Sequence, residues 1–328
     1  TTHTTNTMKE KFSLLKAIND VANNRQLDER AQEVVTAGIS EMRKAGQSYS
    51  GQIVLPIEER ANIQATVATA GQENVAEDKL GILEPLRASL VLAQAGASYM
   101  TGLVGNVSIP VYSGSNVGWA GEVTAASDGA GTFSEVNLEP KRLTAYIDVS
   151  KQFLIQDSNS AEEMLKRDIV SAISNKLEAT ILGTAAGSAT QPAGLLNGVT
   201  ADTAAVTYTD FVNMEATLGE KNVRGDIKFI VSPSAKAVLK STAKNQNSFI
   251  MEGNEVNGYP VLCTSAVAGK GIVYGNFADL VIGQWGGIDL TVDPYTQAAN
   301  GKVRLVINAY FDAKPRRAEA FVKKVLKA

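Results

Sequence analysis

Histidine and cysteine are almost missing from this chain. His3 is the one histidine and Cys263 the one cysteine in 328 residues. A Ser-His-Asp or Cys-His nucleophile needs an imidazole held rigidly beside it. His3 lies in a polar leader, TTHTTNT, that reads as a disordered tip. Zinc sites of clustered Cys and His are excluded in the same way. One thiol forms no intrachain disulfide and suits a reducing interior; Cys263, in the run VLCTS, reads as packing. Chemistry without histidine falls to a carboxylate pair, with Asp148 and Asp157 nearest to hand, but their positions after a strand end give no convergence. A Schiff-base lysine must be buried, and most lysines here stand in polar surroundings. The chain reads as non-enzymatic, with no cofactor and no metal.

Long apolar runs are lacking too. Residues 88–121 carry no charge, but Gln94, Ser98, Asn106 and Ser108 interrupt them, and their glycines and alanines bury little area. No transmembrane segment, signal peptide or membrane partner is expected. A basic surplus is also absent: the net charge is -3, against a dedicated nucleic-acid binder. Thr1 in place of methionine suggests numbering that starts after proteolytic processing or inside a longer product.

Apolar residues make up 44% and charged residues 20%, as in an ordered soluble protein, and the length suits about two domains. The chain is organised around residues 157–197. Ser160 and Glu163 form a capping box that starts a helix near Ala161. Leu165, Ile169, Ala172, Ile173, Leu177 and Ile181 recur at three- and four-residue spacing, so one face is apolar. Gly183 and Gly187 end the helix. Before it, residues 9–23 and 27–44 carry helical periodicity, and the region to about residue 107 resembles an arm with few long-range anchors. Val107–Tyr112 is a strand, and residues 133–149 approach period-two spacing around the turn chemistry of Ser127–Gly131. Together they read as a long two-stranded excursion too thin to hold a core. Strands at 227–232, 259–262, 271–274, 280–283 and 288–292 alternate with helices at 209–218 and 234–242, an α/β subdomain. Strands at 302–311 and 317–326 flank an Asp312–Pro315 turn. The cations Lys314, Arg316, Arg317, Lys323, Lys324 and Lys327 read as a solvated strand edge rather than a DNA grip.

Four stretches in this order carry a resemblance. SIPVY leads through Trp119, Gly121 and Glu122 to TFSEVNLEPKRLTAYIDVSKQFLIQDS; the helix exits through LGTAAGSATQPAGLLNG; IVSPSAKAVL, NGYPVL and VYGNFADLVIG follow; KVRLVINAYFDAKPRRAEAFVK closes. The chain resembles tailed-bacteriophage major capsid proteins of the Hong Kong ninety-seven fold. The resemblance implies an α+β phage capsid fold. Its parts would be an N-terminal arm (1–107), an extended loop and spine helix of a peripheral domain (108–197), an axial α/β domain (198–290), and a peripheral loop with C-terminal strands (291–328). It implies a virion subunit, assembled in the host bacterial cytoplasm into an icosahedral head that encloses double-stranded DNA without sequence-specific binding. Partners would be copies of itself, as hexamers and pentamers, with portal, scaffolding, maturation protease or decoration proteins. An encapsulin-type nanocompartment is the alternative; the leader helices favour the phage.

By the same analogy the arm crosses one neighbour, the loop at 113–145 lies over another, and the 293–302 turn meets its copies at three-fold points. Inter-subunit contacts are then expected at Trp119, Glu122, Phe133, Lys141, Arg142, Asp293, Tyr295, Lys302 and Arg304. One departure matters. Some members cross-link through a lysine in the extended loop, but residues 113–140 contain none, and Lys141 stands at its base. Non-covalent contacts or a decorating protein are expected instead.

Overall fold

A computed structural model describes residues 12–56, 90–112, 117, 119, 128, 130–155 and 159–327, the side chains at 155 and 159–164 excepted. The leader tip, most of the run after Pro56, the Ser160–Glu163 capping side chains, Glu122 and Asp157 lie outside this description.

The strands are β1 (Ile53–Leu55), β2 (Ser98–Met100), β3 (Val107–Tyr112), β4 (Phe133–Leu138), β5 (Lys141–Ser150), β6 (Ile227–Val231) and β7 (Ala243–Asn245). They continue as β8 (Ser248–Phe249), β9 (Glu255–Val256), β10 (Tyr259–Cys263), β11 (Gly271–Asn276), β12 (Leu280–Asp293), β13 (Lys302–Pro315) and β14 (Phe321–Val325). One sheet runs β1-β12-β13-β5, with β2 parallel to the start of β12. A second runs β14-β11-β6-β10-β9. Its β6 and β10 are parallel and joined through the helix Pro233–Ser241, which Ser232 caps by accepting from the Ala235 N–H.

The long helix spans Asn159–Ile181. Leu165, Ile169, Ile173, Leu177 and Ile181 are buried as their spacing predicts, but Ala172 is exposed. Val170, Ser174 and Glu178 are buried beside them, so the helix hides a broader stripe than its apolar residues mark. Their polar groups are satisfied: Ser174 donates to the Val170 carbonyl one turn back at 2.7 Å, and Glu178 accepts from the distant Leu92 N–H at 3.1 Å. One continuous apolar core joins this helix to both sheets and to the N-terminal helices.

Those helices correct the arm reading for the residues described. Leu14–Ala22 and Glu29–Lys44 are capped by Ser13 and Asp28 and bury Leu14, Leu15, Ile18, Ala31, Val34 and Val35 in that core. β1 pairs with β12, and Gly38 lets the second helix press onto it; a Cβ there would lie 2.3 Å from the Val54 carbonyl oxygen. Spacing alone does not reveal the β1 anchor because its partner strand lies more than 200 residues downstream.

Three further expectations change. The strands at 280–283 and 288–292 are one, β12, whose register shifts between Trp285 and Asp289. Gly286 has φ +61° and a Cβ on Gly287 would lie 2.2 Å from the Leu55 carbonyl oxygen, so the Gly-Gly pair makes a bulge, not a break. The Asp312–Pro315 turn is also strand: β13 runs through it, with Asp312 opposite Gly283. The terminal hairpin is therefore absent, since β14 pairs with β11 in the second sheet. Finally, the excursion consists of β3 and β4, in register from Val107–Leu138 to Tyr112–Phe133. β5 leaves it to pair with β13 along its whole length.

Candidate functional site

The expected contact residues fall into three groups. The first is the hairpin. β3 alternates half-buried Val107, Ile109 and Val111 with exposed Ser108, Pro110 and Tyr112, the period of a ribbon with one covered face. At its outer end Tyr112 and Phe133 pair with ring centroids 4.6 Å apart, yet Phe133 is 78% exposed. Beyond them Val117 and Trp119 are fully in solvent. These apolar side chains stand exposed on a ribbon with little core of its own.

The second group is the hairpin's base. Arg142 is exposed, but Lys141, expected to face a neighbour, is turned inward and only 8% exposed. Its ammonium lies 3.1 Å from the fully buried Asp312 carboxylate. The same carboxylate accepts from the Glu139 N–H at 3.0 Å. Sequence reasoning missed Asp312, which it had assigned to a turn.

The third group lies at the far end of the β12–β13 pair. Asp293 accepts from the backbone N–H groups of Tyr295 and Thr296 and from the Thr296 hydroxyl, closing the turn on itself and leaving Tyr295 74% exposed. Those donors, the hydroxyl foremost, hold the Asp293 carboxyl below its ordinary range. Arg304 forks onto Asp148 at 2.7 and 3.0 Å and stacks 4.2 Å over the Tyr146 ring. That hydrogen bond lowers the Asp148 pKa and raises that of Arg304. Asp148 is therefore a standing carboxylate in an ion pair, not a general acid. Lys302, its neighbour on the outside, is exposed. Asp148 and Tyr146 were legible only as alternate positions of a strand.

Two cations of the basic run are paired within the subunit, while Arg316, Arg317 and Lys327 are exposed. Lys314 donates to the Asn137 carbonyl at 2.6 Å, and Lys324 bridges Asp202 and Asp210 at 2.9 and 3.1 Å. No group of three or more potential metal-ligating side chains occurs among the described residues, and none of their helices is long and apolar enough to cross a membrane.

These surfaces sit on a fold with known relatives. The capsid of a native GTA particle superposes with a TM-score of 0.58 at 17% identity, covering 81% of this chain and 97% of that one. A chain of Mycobacterium phage Bobi gives 0.57 at 15% identity, covering 83% and 95%. The major capsid protein of Halomonas phage phiHAP-1 is 29% identical across 94% of this chain, and this chain spans only 53% of that relative's length. The model of the phage capsid family matches residues 78–326. The long helix, the two sheets and the outlying hairpin of this chain belong to the phage capsid family.

Proposed function

We propose that this chain is a structural subunit of a phage head, built with copies of itself as pentamers and hexamers around enclosed DNA. The hairpin is the observation that carries the reading. A two-stranded ribbon is marginal in water, and here its outer aromatic residues Tyr112, Trp119 and Phe133 stand in solvent in the single chain. A second copy lying against them removes that apolar surface from water, as obligate interfaces do. The turn carrying Tyr295 and Lys302 is the second contact, and the Arg304–Asp148 pair stiffens the strands beneath it. With no lysine in residues 113–140, the hairpin holds its neighbour without a lysine cross-link. The family is structural, and an encapsulin is not favoured, because the relatives matched are phage capsids. The subunit resides in the virion; assembly in the host cytoplasm and contacts with portal, scaffolding, protease or decoration proteins belong to the same proposal.

The test replaces residues 113–132 with an Asn-Gly turn, which joins Tyr112 to Phe133 in register. A folded, soluble subunit that forms no closed shells in negative-stain micrographs is expected. Shells in normal yield sink the reading.

A further inference from the structure

Among the described residues, hydrogen bonds from both legs of the hairpin converge on one short stretch of β12 and β13. On the incoming leg, Leu103 N–H donates to the Gln284 carbonyl at 3.3 Å, and the Trp285 indole N–H donates to the Gly105 carbonyl at 2.6 Å. On the outgoing leg, Lys314 holds the Asn137 carbonyl at 2.6 Å. Asp312 takes the Glu139 N–H and the Lys141 ammonium on one carboxylate oxygen, and its own neighbour's Ala313 N–H on the other. Leu138 is fully buried between these pins, against Val281 and Trp285, in a small core separate from the main one.

A buried ion pair is weak evidence for stability, because desolvating both charges offsets their attraction. An apolar pair would fill the space as well. What an apolar pair lacks is an acceptor aimed at the Glu139 N–H, at the residue where β4 ends and the chain turns into β5. We propose that Asp312 is a positioning residue for assembly: it fixes the angle at which the hairpin leaves the sheet, and Lys141, 3.1 Å from the carboxylate, holds it in place. The inference rests on the hairpin being a contact between copies.

Two double variants separate positioning from packing. Lys141→Met with Asp312→Asn removes both charges and keeps a side-chain oxygen for Glu139. Lys141→Met with Asp312→Leu removes the oxygen as well. Nitroxides at Asp128→Cys and Lys302→Cys, in the whole chain with Cys263→Ser, report the hairpin's angle in the unassembled subunit by dipolar distance measurement, and shells are scored in the same double variants without the label cysteines. The Met/Asn variant is expected to keep the narrow wild-type distance distribution and to form shells. The Met/Leu variant should melt no lower than Met/Asn, yet show a broadened distribution and lose closed shells. A narrow, unshifted distribution in Met/Leu overturns the inference. If either double variant fails to fold, Glu139→Pro, at an exposed position, deletes the donor while also fixing φ there; wild-type distances and shells in that variant overturn it equally. Should the Asn-Gly replacement of residues 113–132 form normal shells, the contact reading fails instead, and the distances still decide the clamp.

Discussion

Two substitutions on one helix distinguish the core found in the structure from the face read off the periodicity. Leu177 is 3% exposed, with Ile173 and Ile181 one turn to either side at 5% and 1%. Ala172 belongs to the same periodic set but faces solvent. Leu177→Asp loses the burial of a leucine, about 2 kcal/mol. It must also bury a carboxyl group. Keeping that group neutral at pH 7 means raising its pKa by about 3 units, on the order of 4 kcal/mol at ~1.4 kcal/mol per unit. The sum, about 6 kcal/mol, rivals the whole stability of an ordinary domain, ~5–15 kcal/mol. Ala172→Asp should cost no more than about 0.5 kcal/mol, as surface changes do. Thermal melts followed by circular dichroism at pH 7 read both. The Leu177→Asp subunit should be unfolded or melt far below wild type, and partly recover at pH 4.5, where protonation is cheaper. The Ala172→Asp subunit should melt as wild type does and assemble. Equal melting of the two variants, or recovery of Leu177→Asp only at high pH, refutes the reasoning.

Other outcomes follow from the surfaces. Lys302→Glu and Tyr295→Ser, both at exposed positions of the β12–β13 turn, should leave the melting temperature unchanged and lower the shell yield seen by light scattering; wild-type yield removes the turn from the contact map. Glu178, buried on the long helix, has its pKa raised above the ordinary 4.5, chiefly by desolvation. The folded state therefore binds a proton more readily than the unfolded one, and this group's penalty grows as pH rises from about 4.5 through the raised value. Glu178→Gln keeps an acceptor for the Leu92 N–H, so it should raise the melting temperature at pH 7, with the gain shrinking toward pH 4.5. A gain independent of pH argues against that account.

The order of elements was legible because local patterns carry it. The long helix, the β3 strand, the β6 strand and the β11 strand all declare themselves in short local patterns. What was not legible depends on distant partners. Gly286-Gly287 reads as a break until Leu55, from the far end of the chain, lies against it. Asp312-Ala313-Lys314-Pro315 has turn composition, yet its carboxylate is claimed by a backbone N–H 173 positions away. Ala172 fits the apolar spacing, but alanine is small enough to be left in solvent without cost. The exposed aromatics Trp119, Phe133 and Tyr295 were readable as candidates; the inward turn of Lys141 was not, since nothing local distinguishes it from Arg142.

The course of β11 to β14 has a consequence for cutting the molecule. The chain passes from the long helix into the second sheet through residues 182–207, returns between Asn276 and Leu280, and crosses again between Pro315 and Phe321 to place its last strand beside β11. The two sheets are laced by three separate threads rather than joined by one linker. A protease that nicks any one thread leaves two intact, and β14 still bonded along β11. Nicked subunits should therefore migrate as one species on a native gel and separate into fragments only in denaturant, and residues 198–290 expressed alone would lack an edge of their own sheet.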